Sequence, residues 1–148
     1  SDSAWWQEAS EEGMVAIENH SWDHAHAVVQ QLAHPDCQHG DFYSVDTYAS
    51  ADRQIRDAAV VIDSALAPWG QQCSLFAYPY GHCNDYLKEN YLPGHVAEHK
   101  VVGAFTTDPG YIDKNSNPYA LPRFVCGSGW QTPAEFAAIL EGLMAHAE

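Results

Sequence analysis

Basic residues are scarce. Six Lys and Arg stand against twenty Asp and Glu, a formal net charge of -14 at pH 7. That balance repels polyanions and excludes nucleic acid or an anionic membrane surface as the partner. A neutral or cationic ligand is compatible with it. Long apolar runs are also missing, so the sequence carries no transmembrane segment, and no signal peptide is present. A signal removed by maturation would leave the same picture. The four cysteines, Cys37, Cys73, Cys83 and Cys126, form no C-x-x-C pair, which argues against a zinc ribbon and a thioredoxin-type motif. Two states remain open for them: an exported protein with one or two disulfides, or four buried free thiols. Asn-Gly and Asp-Gly hairpin turns are absent too, so adjacent strands are not expected to be joined as a meander.

What is present suffices for a core. Hydrophobic residues make up 46% and charged residues 18% of 148 residues, the balance of one globular domain. Trp5, Trp6 and Ala9 at helical spacing, followed by Gly13, predict a helix over 1–12 with a glycine stop. Met14–Ile17 then reads as a short buried strand. Ala25–Leu32 reads as a further helical turn or two, and 34–42 as a loop. Over 46–66, Ile55, Ala58, Ala59, Ile62, Ala65 and Leu66 make one apolar stripe, ended by Pro68 and Gly70. Cys73–Ala77 is the second strand, Asp85–Tyr91 a short helix stopped by Pro93-Gly94, Val101–Thr106 the third strand and Leu121–Cys126 the fourth. Thr132, Pro133 and Glu135 spell a capping box for a last helix, with Phe136, Ile139, Leu140 and Leu143 as its buried face.

Strands alternating with helices or loops imply a parallel sheet, open or rolled into a barrel. Its carboxyl ends are where ligands bind. Three of those ends carry chemically able residues: His20/His24, Tyr78–His82 and Thr106–Asp108. Two imidazoles four residues apart, directly after a strand, can face one divalent metal. His95/His99 repeats the interval without a strand before it and reads as a solvated or hydrogen-bonded pair. Trp22 reads as a core anchor before a ligand platform, and Trp130 equally as a sugar-stacking ring or a packing contact. Asp23 and Asp108 read first as turn or capping residues, and His82 as a solvated loop histidine. A disulfide, if one forms, should join Cys37 to Cys83, since Cys73 begins a strand and Cys126 ends one.

His20-Ser21-Trp22-Asp23-His24, preceded by Asn19, resembles the H-[ST]-x-x-H metal motif of the polysaccharide deacetylases, a carbohydrate esterase family with NodB homology. Phe76-Ala77-Tyr78-Pro79-Tyr80-Gly81 is similar to that family's P-Y-G segment, in the form found in the branch acting on poly-β-1,6-N-acetylglucosamine. The segments 103–110 and Leu121-Pro122-Arg123-Phe124 are similar to the same branch, so the likeness runs in order along nearly the whole chain.

The resemblance implies a distorted (β/α) barrel and metal-dependent N-deacetylation of an N-acetylated polysaccharide, with the chain as a single, partial domain over 1–148. It makes His20 and His24 metal ligands for a divalent ion, zinc before cobalt or nickel. The backbone N–H of Tyr80 becomes an oxyanion donor, shaped by Pro79 and Gly81. Those two residues, with Trp22 and Trp130, are the substrate-side candidates. It also implies export to the periplasm, cell envelope or exterior. The departures have consequences. The family's T-F-D-D motif, source of the catalytic base and third ligand, does not occur in the sequence, and neither does its late L-x-H histidine. The first strands of the barrel are therefore expected to lie outside this sequence, leaving an edge for self-association or a complementing segment. The alternatives are a non-catalytic carbohydrate-binding or scaffold module, and a structural zinc site with a closed four-ligand shell.

Overall fold

The computed structural model describes residues 4–11, 13–25 and 41–146. The chain opens with helix α1 (Ala4–Glu11), closed by Gly13 at φ +66°. The long helix α2 (Tyr48–Leu66) starts at a capping box: Thr47 Oγ1 accepts from Ser50 N, and Ser50 Oγ accepts from Thr47 N. These contacts satisfy two amides that the first turn leaves orphaned. Its buried face carries Ile55, Ala58, Ala59, Ile62 and Leu66, where each large side chain contributes roughly 1.5–3 kcal/mol by leaving water. Two polar residues, Asp52 and Gln54, lie on the same face. Pro68 and the left-handed Gly70 end the helix through a single 3₁₀ turn.

The centre is a parallel pair, β1 (Leu75–Ala77) against β2 (Gly103–Phe105), with Phe76 opposite Ala104. Parallel bridges extend it on both sides, from Asn19 to Phe76 and from Leu121 to Phe105. Four segments thus run parallel, as the alternation predicts, and they lie in the spatial order 19, β1, β2, 121. The fold is mixed α/β, and no barrel closes among the described residues. Phe42, Val45, Ile55, Phe76, Tyr78 and Tyr91 form the main core between the sheet and α2. Among the described residues no helix is long and apolar enough to cross a membrane.

Several expected elements are altered. Met14–Ile17 is not a buried strand: Met14 is 86% and Val15 49% exposed, and pairing begins only at Asn19. One residue earlier, the Glu18 carboxylate takes Ser74 N and Leu75 N at 2.8 and 2.7 Å, so a side chain supplies what a neighbouring strand's carbonyls would. The fourth strand shrinks to Leu121, because the next donor in line, Arg123 N, goes to Asp108 O, and Thr106 O accepts from Arg123 Nε at 2.7 Å instead. Pro93 does not stop its helix. A π turn (Leu87–Tyr91), in which Leu92 N reaches back to Leu87 O, runs into α3 (Leu92–Gly94). The wider turn admits the proline ring, and α4 (Val96–His99) follows.

The capping box of α5 (Pro133–His146) forms as expected, Glu135 N donating to Thr132 Oγ1 and Thr132 N to Glu135 Oε2. Its apolar face is not buried, however. Phe136, Leu140 and Leu143 are 42–48% exposed, with Ile139, Leu140 and Leu143 lining one side of an open cavity against Tyr111, Pro122 and Phe124. Cys73, Cys83 and Cys126 are free thiols, so Cys83 is not in the expected bond. Cys37 and the expected 25–32 helix lie, but for Ala25, outside the described residues.

Candidate functional site

The three strand ends meet. His20 follows Asn19 at the sheet edge, and its Nδ1 lies 2.7 Å from Ala77 O, the last carbonyl of β1. A carbonyl can only accept, so Nδ1 carries the proton and the Nε2 lone pair is left for another partner. The His24 ring stands 4.8 Å from that of His20, centroid to centroid, and 5.1 Å from that of Tyr80. The Pro79–Gly81 turn is locked to the end of β2: Tyr78 N donates to Phe105 O at 3.0 Å and Thr107 Oγ1 to Tyr80 O at 3.4 Å.

Three non-glycine residues at this junction have left-handed backbones: Ser21 (φ 78°), His24 (φ 54°) and Tyr80 (φ 54°). Such conformations cost about 1–3 kcal/mol each and persist where surrounding contacts over-determine them. Those contacts are present. Asn19, 1% exposed, accepts Ser21 N on Oδ1 at 2.9 Å and donates Nδ2 to Ile55 O at 2.8 Å. Ser21 Oγ then accepts His24 N at 3.0 Å. Gly81, at φ +73°, has no alternative residue type, because a Cβ there would sit 2.7 Å from Thr107 N.

The donor set fits a divalent ion in part. His20 is held as metal-bound imidazoles commonly are, with Nδ1 fixed on a backbone carbonyl and Nε2 left to bind. His24 is adjacent. Among the described residues, no group of three or more His, Cys, Asp or Glu converges on one point, so these residues offer an open pair and no closed four-ligand shell.

The other singled-out residues fall into place as follows. Asp23 Oδ1 accepts from Gln54 Nε2 at 2.9 Å, a contact to α2 that a local turn reading does not include. Asp108 does follow the turn reading, its N–H donating to Thr106 Oγ1, which donates in turn to its carboxylate. Trp22 is no core anchor. It is 39% exposed, carries the Arg53 guanidinium 3.8 Å above its ring, and borders an apolar cavity of about 240 Å³ with Trp6, Ser21 and Ile62. Trp130 packs on Phe136 at 4.8 Å, the packing alternative. His82 is stacked on Tyr43 at 4.2 Å and half-buried, so it is not a solvated loop histidine. His99 is buried, with Nε2 on Leu92 O and Nδ1 accepting Val101 N, which agrees with a hydrogen-bonded reading of that residue.

Gln54 was not legible as a site residue. The available signal is a polar side chain on the apolar stripe, four residues before Ala58.

Known proteins resemble this chain in sequence pattern and in fold. The family model for polysaccharide deacetylase matches residues 3–92. The crystal structure of BA0330 from Bacillus anthracis, a protein assigned to the polysaccharide deacetylases, is similar over 88% of this chain, with a TM-score of 0.55 and 22% identity. This chain spans 34% of that one. No curated protein matches the sequence.

Proposed function

The chain belongs to the polysaccharide deacetylase family, and on that premise we propose that it supplies the two-histidine metal site and oxyanion turn of an N-deacetylase acting on an N-acetylglucosamine polymer. The observation that carries this reading is the fixed tautomer of His20: Nδ1 tied to Ala77 O, its ring beside that of His24, and the His24 ring against that of Tyr80. His20 and His24 hold the ion. A bound divalent metal, zinc before cobalt or nickel, would polarise the acetamide carbonyl and acidify a water molecule.

The chain's own residues bind and orient. The Tyr80 N–H is the donor for the developing oxyanion, and the turn that carries it is fixed by Pro79, by Gly81 and by the Thr107 hydroxyl on Tyr80 O. Hydrolysis also needs a carboxylate base for the water and an acid for the departing amine. We assign neither to a residue of this sequence, since Asp23 and Asp108 are both engaged by neighbours. The family's T-F-D-D strand is the source we propose for the base and third ligand. The parallel order 19, β1, β2, 121 supports completion as a (β/α) barrel, with the uncovered Met14–Ala16 segment as the edge a further strand or a second copy would pair with. A polymer of this kind belongs to the cell envelope, which supports an exported protein.

The absence of a third metal-binding side chain among the described residues favours one second reading, a carbohydrate-binding module without catalysis. Acetate release from an N-acetylglucosamine oligomer separates the two. With equal added zinc, this chain alone should be slow, and an extension supplying a T-F-D-D strand should gain about 10²–10⁴-fold, the usual worth of general-base assistance. Binding of the oligomer without acetate release in either form would establish the module instead. Equal rates for the two forms would refute the missing-base argument.

A further inference from the structure

Resting on the reading of His20 and His24 as metal ligands, we infer that Gln54 is a positioning residue for that site, acting through Asp23 on the backbone that carries His24. Gln54 is 0% exposed on the inner face of α2, where Ala51, Ile55 and Ala58 are its buried apolar companions. An apolar side chain would suit that face, and a buried amide is retained only where it has partners. Its Nε2 reaches Asp23 Oδ1 at 2.9 Å, across 31 residues of sequence. Asp23 immediately precedes His24, whose left-handed φ of 54° requires restraint from outside.

The neighbouring residue of α2 grips the other end of the same turn. Ile55 O accepts from Asn19 Nδ2, and Asn19 Oδ1 holds Ser21 N. Two consecutive positions of one helix therefore anchor both ends of the His20–His24 segment, one by side chain and one by carbonyl. In this account Asp23 is a strut. Its carboxylate faces the helix amide and is neither a ligand nor the base.

The test compares Asp23→Asn with Gln54→Leu. Asp23→Asn keeps an oxygen for the Gln54 amide while removing the charge, so a strut survives it and a ligand or base does not. Gln54→Leu removes the donor at similar volume; Gln54→Met is the fallback if leucine does not pack. The readouts are the Co²⁺ dissociation constant and the His24 ring ¹H–¹⁵N shifts of the metal-free protein. Val101→Ala, a core truncation at a 0% exposed site, controls for general loss of stability. The expected result is a roughly tenfold or greater loss of Co²⁺ affinity and displaced His24 shifts in Gln54→Leu. Asp23→Asn should stay within about twofold of the parent, and Val101→Ala should leave the His24 shifts in place. Unmoved His24 shifts in the Gln54 variants, or an Asp23→Asn loss as large as theirs, overturns the inference. If His20→Ala and His24→Ala leave Co²⁺ binding unchanged, the ligand reading fails separately, and the His24 shifts alone decide the positioning role.

Discussion

Gly81→Ala should destabilise the Pro79–Gly81 turn more than a glycine substitution at an open turn does. Two costs add. Alanine at φ +73° pays the left-handed penalty, roughly 1–2 kcal/mol. Its Cβ would also stand 2.7 Å from Thr107 N and 2.8 Å from Thr107 Cγ2. One of these is backbone and cannot rotate away, so relief requires moving the end of β2, at the ~1–3 kcal/mol typical of overpacking. Gly70→Ala isolates the first cost, since φ is +66° there and nothing lies within 4 Å of the added methyl. Both substitutions restrict the unfolded chain equally, so that effect cancels in the comparison. Urea unfolding should place Gly81→Ala about 1–3 kcal/mol below Gly70→Ala at a common slope. Equal midpoints for the two would refute the claim that Thr107 clamps the turn.

Burial depresses the His99 pKa below its ordinary 6.5, with Tyr91, His95 and Glu98 as its ionisable neighbours. The unfolded state therefore binds the proton first. Stability held above pH ~6.5 should fall as pH drops through that value towards the lower folded pKa, and His99→Gln should flatten this slope; an unchanged slope would contradict the assignment. Burial, aided by Asp63, pushes the Cys73 thiol up to about 12, while Cys126 is exposed. A thiol reagent at pH 8 should label Cys126 promptly and Cys73 only on unfolding, and peptide mapping that found both labelled alike would count against the core packing.

Legibility followed the range of the interactions. The stripe of α2, the Gly13 stop and the Thr132–Glu135 capping box depend on residues within a few positions of one another, and the structure keeps all three. The parallel orientation was readable because strands separated by helices or loops leave few alternatives. What failed depended on distant or substituted partners. Glu18 supplies the hydrogen bonds a neighbouring strand would give, 56 residues away from Ser74, and no local pattern announces that. The fourth strand ends where Arg123 sends its N–H to Asp108 O and its Nε to Thr106 O, 17 residues back in the sequence. The α5 stripe is genuinely amphipathic, yet burial depends on a covering element, and among the described residues little covers Leu140 and Leu143. At the site, His20 and His24 were visible as a spacing. The carbonyl that sets the His20 tautomer, 57 residues on, and the Gln54 strut were not.

A metal site here requires His20 and His24 to share one ion. Equilibrium dialysis against zinc, on the parent chain and on His20→Ala and His24→Ala, measures that directly. The parent should take up on the order of one ion per chain, weakly for want of a third ligand, and each single variant should lose it. Undiminished zinc stoichiometry in both variants would contradict the site.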